Sequence, residues 1–390
     1  MVPKLRFPEF EDEEDWKVKS FAELFTIGNG RDYKHLSVGD VPVYGSGGYM
    51  LSVNDHLYDG ESVCIGRKGT INKPLFLTGK FWTVDTLFYS HTFNDCLPRF
   101  IYYIFQNIDW LKHNEAGGVP SLSKTNILKI KVAIPKEKEQ NKIADCLASV
   151  DELFTAQTQK LDALKTLKKG LMQQLFPAEG EIVPKLRFPE FQDKGEWVKQ
   201  KNSDLLKKIS NQVEVEPAGD YREIGIRSHG KGIFHKEPIK GKDLGAKRVF
   251  WIENNAFVVN IVFAWELALA ITTDAEIGMI ASHRFPMYKA RKNKAVISYI
   301  KYFFLTNKGK ELLWIASPGG AGRNKTLGQK EFEKLEFLIP RIVEEQQKIA
   351  DCLTSIDELI SNQAKKVDAL KAHKKGLMQQ LFPAMDEVGA

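Results

Sequence analysis

Residues 139–178 read EQNKIADCLASVDELFTAQTQKLDALKTLKKGLMQQLFPA, and residues 345–384 read EQQKIADCLTSIDELISNQAKKVDALKAHKKGLMQQLFPA, identical at 29 of 40 positions. The offset between the copies is 206. A second repeat flanks the first: VPKLRFPEF at 2–10 returns unchanged at 183–191, an offset of 181, with Trp16 and Trp197 following at the same distance. Because the offsets differ by 25, the segments between the repeated blocks are unequal in length, and they are largely unlike in sequence. The chain therefore runs linker, variable domain, shared helix, and then the same again. A solenoid would repeat more often. The expected boundaries are a first variable domain with its linker at 1–136, a central helical spacer at 137–182, a second variable domain with the repeated linker at 183–341, and a C-terminal helical spacer at 342–390.

The shared block has helical periodicity. Ile143, Leu147, Val150, Phe154, Leu161, Leu164, Leu171 and Leu175 fall on steps of four and three, with polar Gln157 and Lys168 at two seam positions. Ile349, Leu353, Ile356, Ile360, Val367, Leu370, Leu377 and Leu381 repeat the seam, and Gln363 and Lys374 repeat its polar breaks. Pro135 and Pro340 precede the helices and Pro177 and Pro383 follow them. About 37 residues give a helix of roughly 55 Å. The first helix leaves the first domain for the second, so a second helix paired through the matching seam runs back toward the N-terminus. The expected fold is α+β: two globular domains joined by two long antiparallel helices in a coiled coil, with a pseudo-two-fold internal repeat that brings Ala390 near Met1. Ile143, Leu147, Leu164, Gly170, Leu171, Ile349, Leu353, Leu370, Gly376 and Leu377 are the expected helix and subunit interface. Gly170 and Gly376 each cost about 1 kcal/mol relative to Ala, so their duplication predicts close packing there by the facing helix or a docked subunit.

Composition removes several classes. The chain has 390 residues and four Cys with no CxxC pair, which excludes a disulfide framework and a Cys-based zinc site of usual spacing. The longest apolar run, 256–271, is interrupted by Asn260 and Glu266, so no membrane span is expected, and the charged, Pro-containing N-terminus does not resemble a secretory signal. A cytoplasmic protein with reduced thiols is expected. There is no G-x-x-x-x-G-K-[ST] phosphate loop, no G-x-G-x-x-G turn, no Asn-Pro-Pro-aromatic methyltransferase motif and no H-E-x-x-H. No catalytic residue, bound cofactor or metal is expected in this chain. Cys146 and Cys352 occupy equivalent helix positions and read as small buried or partner-facing residues.

The net charge of +6 is unevenly placed: residues 16–136 carry +4 and 197–341 carry +10, whereas 137–182 and 342–390 carry −2 each. Positive charge confined to the variable domains suits a polyanion held at both. A scaffold joining two proteins would account for the repeat but gives no reason for that partition. Within those domains, 129–134 and 334–339 read as strands and 99–111 and 298–313 as aromatic amphipathic helices. Glycine-rich turns carry the polar candidates. The first domain offers Tyr44, Ser46, Tyr49, Arg67, Lys68, Thr70 and Ser121, and the second Arg227, Ser228, His229, Lys231, Arg323, Asn324 and Lys325. Glycine lets backbone approach phosphates and base edges, and these side chains supply donors and stacking faces.

Two unlike domains, each ending in Ile-Pro before Glu-Gln-x-Lys-Ile-Ala-Asp-Cys-Leu and a helix closing as Lys-Lys-Gly-Leu-Met-Gln-Gln-Leu-Phe, resemble the specificity subunit of a Type I restriction-modification system. The resemblance covers essentially the whole chain; 67–70 and 224–232 also resemble parts of that family's target recognition domains. It implies a non-catalytic subunit in which each variable domain reads one half of a split double-stranded DNA target. The helices would set the gap and dock modification subunits, two copies being expected. S-adenosylmethionine would then sit on those partners, and ATP and Mg2+ on the restriction and translocase subunits. The specificity subunits of bifunctional Type II systems share the pattern.

Overall fold

The computed structural model describes residues 1–319 and 325–383. The chain divides into two compact units, Met1–Gln159 with Ala364–Ala390, and Lys160–Gln363. Both boundaries fall inside long helices, Glu137–Gln174 and Val343–Leu381, so each unit contains one variable domain and a half of each helix.

The two variable domains are built alike despite their unlike sequences. In the first, a four-stranded antiparallel sheet runs in the order Thr26–Asn29, Leu87–His91, Ser62–Gly66, Leu75–Leu77. In the second, Leu206–Ile209, Met287–Ala290, Phe257–Val259 and Leu269–Ile271 take the same order. After each sheet come the helix Pro98–Asn107 or Ile297–Leu305, a short helix Lys124–Lys129 or Gln329–Lys334, and a strand, Lys131–Ile134 or Glu336–Ile339. That strand pairs antiparallel with Lys17–Ser20 or Val198–Lys201 beside the linker. The length difference lies chiefly between the first two sheet strands in chain order. There the first domain inserts Val38–Gly45, Gly48–Val53 and Tyr58–Asp59, which with Lys80–Thr83 form a second sheet, and the second domain inserts two-stranded ribbons.

The terminal strands are shorter than expected at 129–134 and 334–339, because the first two residues of each stretch belong to or cap the preceding short helix. The single helix expected at 298–313 is two, Ile297–Leu305 and Asn307–Ile315. Thr306 breaks it: its side chain accepts from Gly309 N and caps the second helix. In the first domain 99–111 likewise divides into Pro98–Asn107 and a 3-10 turn, Trp110–His113.

The repeated linker and the repeated helix start lock together, once in each unit. Arg6 donates to the Glu139 carboxylate through Nε at 2.9 Å and Nη2 at 2.8 Å, and Trp16 Nε1 adds a third bond at 3.1 Å. Arg187, Trp197 and Glu345 do the same at 2.8, 2.8 and 3.1 Å. Arg6 and Arg187 are held strongly protonated, above their ordinary range, chiefly by these carboxylate bonds. The next residue pins the variable domain: Gln140 accepts from Leu97 N at 2.8 Å and donates to Asp95 O and Pro135 O, and Gln346 bonds Val296, Lys294 and Pro340 in the same way.

Ile143, Leu147, Ile349 and Leu353 are buried, while Leu164, Leu171, Leu370 and Leu377 are half-buried along the same seam. Within the first unit Ile143 and Leu147 share a core with Met378, Leu381 and Phe382, so the two helix segments run antiparallel. Within the second, Leu175 and Phe176 share a core with Ile349 and Leu353. Close packing by the facing helix at Gly170 and Gly376 is not found: a Cβ at either position would meet nothing within 4 Å. The helix pair is held by the leucines around them, and the glycines face open space. Ala390 lies outside the described residues; Phe382 packs edge-on against Trp16, with ring centroids 6.5 Å apart.

Candidate nucleic-acid interface

In the first domain the strand Ser62–Gly66 runs into a turn at 67–70. Gly66 is required there, since a Cβ would lie 2.1 Å from Thr70 O, and Gly69 has φ +90. Main-chain bonds place this turn. Arg67 N donates to Thr86 O at 2.8 Å, Gly69 N to Pro120 O at 2.8 Å, and Leu122 N to Arg67 O at 2.9 Å. Asn114 Oδ1 closes the adjoining loop by accepting from Ala116 N and Ser121 N. Ser123 bonds hold the Glu115 carboxyl below its ordinary range. The hairpin carrying Tyr44 and Tyr49 lies alongside, because a Cβ at Gly69 would sit 3.3 Å from Ser46 Oγ. Tyr44 and Tyr49 meet edge-to-face at 6.1 Å. Tyr44, Ser46, Tyr49, Arg67, Lys68, Thr70 and Ser121 therefore converge on one end of the domain.

Beside them is an open groove of 870 Å³ lined by Arg67, Lys68, Phe88, Val119 and Lys124 among others. Arg67 and Lys68 are exposed, and the Arg67 guanidinium lies 5.9 Å from the Phe88 ring centre. Their main chain is fixed while their side-chain charge faces solvent.

In the second domain the turn 227–232 closes the ribbon of Ile224–Ile226 and Ile233–His235, with His229, Gly230 and Gly232 all at positive φ. It rests on the 3-10 turn Ala264–Glu266. His229 N donates to Glu266 O at 2.7 Å, Gly230 N to Leu267 O at 2.9 Å, and Ser228 Oγ to Glu266 Oε2 at 2.9 Å. The Ser228 hydroxyl is thus engaged within the fold. Arg227 stacks 4.8 Å over Phe234 with one guanidinium N–H on Ile233 O, and Lys231 is exposed. On the other side of the same 3-10 turn, Trp265 meets Trp314 edge-on at 5.8 Å and Lys325 Nζ lies 3.5 Å over Trp314. Arg323 and Asn324 lie outside the described residues.

Trp265, Trp314 and Phe263 were not among the sequence candidates. Trp314 is 48% exposed at the end of a helix that buries Gly309, Leu312 and Leu313, so helical periodicity alone places it off the apolar face. The two domains also share a construction that their sequences conceal. The loop after the third sheet position meets the loop before the last short helix in both: Leu122 N bonds Arg67 O in one and Leu327 N bonds Ile261 O at 2.8 Å in the other. The segments that lead into Leu122 and Leu327 therefore hold the same place in the topology. Cations backed by aromatic rings on such loops can engage phosphates, base edges and base faces.

Two domains of one design, each presenting the same pair of loops and each clamped to a duplicated helix, define a recognition subunit built by internal duplication. The chain belongs to the family described as the Type I restriction modification DNA specificity domain, which matches residues 13–166 and 195–372, and it is a DNA sequence-specificity subunit of that kind. It is 24% identical over 274 residues to a putative Type I restriction enzyme MjaX specificity subunit from Methanocaldococcus jannaschii, the match covering 67% of this chain and 60% of that relative's length. It is 22% identical over 360 residues to the Type I restriction enzyme MjaVIII specificity subunit of the same organism, covering 84% and 77%. The fold is similar to that of the Type I restriction-modification system S subunit from M. genitalium, with TM-score 0.67 and 12% identity over 98% of this chain and 100% of the other. Among the described residues no helix is long and apolar enough to cross a membrane.

Proposed function

We propose that each variable domain reads one half of an asymmetric, bipartite double-stranded DNA target through its paired loops, and that the long helices set the unread gap and dock two modification subunits. The observation that carries this reading is the shared loop pair. Two domains of unlike sequence carry a cation beside an aromatic ring on this loop pair, Arg67 by Phe88 in one and Lys325 by Trp314 in the other, and unlike loops on a common design suit unlike half-sites. A gap somewhat under one DNA turn (roughly 34 Å) is the expected spacing between the two half-sites.

Docking on the helices is supported by where the two repeats agree. Asp145 and Asp351, Glu152 and Glu358, and Leu153 and Leu359 are identical pairs although exposed, the leucines at 47% and 53%. An exposed patch of one Asp, one Glu and one Leu repeated on both helices fits one partner used twice. In this reading the chain works in the cytoplasm by binding alone, the modification subunits supply S-adenosylmethionine and methyl transfer, and the restriction subunits supply ATP- and Mg2+-dependent translocation and cleavage.

The test is the methylome of a host expressing this chain with its neighbouring modification subunit, against the same host lacking only this chain. Loss of one split, asymmetric methylated motif is the expected result. An unchanged methylome with an assembled complex would overturn the reading in favour of a scaffold that leaves DNA unread.

A further inference from the structure

Beyond the loops, each unit carries a three-way polar joint. In the first, the Asp151 carboxylate receives Lys374 at 2.5 Å and the Tyr103 hydroxyl at 3.1 Å. In the second, Asp357 receives Lys168 at 2.6 Å and the Tyr302 hydroxyl at 2.8 Å. Each lysine also lies over the ring of its tyrosine, at 5.4 and 5.6 Å. The aspartate comes from one long helix, the lysine from the other, and the tyrosine from the first helix of the variable domain, Pro98–Asn107 or Ile297–Leu305.

The tyrosines make the joint informative. Tyr103 and Tyr302 are 199 positions apart, matching neither the 181 nor the 206 offset of the repeated blocks, and they lie in segments of unlike sequence. Both domains nevertheless place a hydroxyl on the repeated aspartate. Each domain helix is also held at its start by Gln140 or Gln346, so it is fixed to the long helix at two points, which defines its direction. A lysine on an apolar seam costs stability and is the kind of residue that specifies alignment.

We infer that Tyr103–Asp151–Lys374 and Tyr302–Asp357–Lys168 are positioning joints that fix the direction in which each variable domain is presented, and so set how strictly the complex enforces the gap of its target. This rests on the bipartite reading above. The residues touch no DNA; they act through the domain they hold. A tyrosine at this place is then the feature that a different variable domain must bring to be accepted on the same helices.

The test uses the complex with its modification subunits and duplexes carrying the methylated motif with its native gap or a gap one base pair longer or shorter. Tyr103→Phe removes one hydroxyl bond to a carboxylate and leaves the ring in place. Such bonds correspond to about tenfold in an equilibrium, so the ratio of methylation at native over altered gaps falls by about tenfold. The rate at the native site stays within about twofold, because no DNA contact is lost. Lys374→Met gives the same loss of discrimination, and Lys374→Arg keeps it. An unchanged ratio in both Tyr103→Phe and Tyr302→Phe overturns the inference, as does an equal fall at every gap, which marks a merely structural role. If the wild-type complex methylates no bipartite site, it is the underlying reading that fails.

Discussion

Glu139→Gln tests the clamp that ties the N-terminal linker to the first long helix. The carboxylate accepts three bonds, two from Arg6 at 2.9 and 2.8 Å and one from Trp16 at 3.1 Å, and the Arg6 and Glu139 side chains are only 9% and 3% exposed. The amide preserves one oxygen for Trp16 and one guanidinium N–H, but turns an NH2 group toward the other and leaves a buried cation without its counter-charge. Breaking a buried pair costs roughly 3–5 kcal/mol; retention of two bonds places this change at about 3 kcal/mol. For a cooperative unit of this size each kcal/mol lowers the melting temperature by roughly 2–4 °C, so a fall of about 6–12 °C is expected. Calorimetry of the full chain measures it, and hydrogen exchange assigns it to peptides of Met1–Gln159 and the end of the second helix. Glu345→Gln moves the other unit by a similar amount, and the two changes add to within about 0.5 kcal/mol. A fall below about 2 °C for Glu139→Gln would refute the view that this ion pair anchors the linker.

Arg67→Ala, which leaves the main-chain bonds of its turn intact, is expected to weaken DNA binding by about 1–3 kcal/mol and relax the motif at one position; a uniform loss with a shallower salt dependence would assign Arg67 to phosphate. Gly170→Ala places a methyl in open space and is expected to stabilise the isolated chain by about 1 kcal/mol, read as a shift in denaturation midpoint. Glu276 is pushed up by burial, but its bonds from His235 and Thr273 outweigh this and hold it below the ordinary glutamate range. With its folded pKa depressed, its contribution is fully present above the unfolded value of about 4.3 and is lost as pH falls through the folded value. Urea midpoints between pH 6 and pH 3 should therefore decline less steeply in Glu276→Gln than in the wild type; equal slopes would remove Glu276 from the account.

The architecture was legible because duplication wrote it twice. Seam leucines, flanking prolines and polar breaks recur in register, and periodicity gave both long helices to within a few residues. What the repeat could not supply was partners across long separations. Arg6, Trp16 and Glu139 are all visible as repeated letters, yet their meeting spans up to 133 residues and depends on the terminal strand pair that returns the chain. Lys168 and Lys374 were legible as breaks in the seam, but the aspartates opposite them, Asp151 and Asp357, carry no comparable mark in the sequence. The glycine turns marked most of the candidate loops, since tight main-chain geometry has a compositional signature. Trp265 and Trp314 had none, because their proximity comes from the packing of a 3-10 turn against a helix end. Gly170 marks a related limit: a helical glycine signals room for a neighbour without naming it, and the facing helix does not fill that room, which leaves a docked subunit as the expectation.

The turns at 67–70 and 114–122 are tied to each other through amide and carbonyl groups that every residue except proline possesses. The side chains of Arg67 and Lys68 contribute almost nothing to that arrangement. Substitution at these positions is thus nearly invisible to folding, and selection acting on them is free of the usual conflict between activity and stability. On the proposed reading a lineage can wander through many target sequences without passing through unfolded intermediates, since the side chains assigned to DNA and the atoms that hold the loop are drawn from different parts of the same residues.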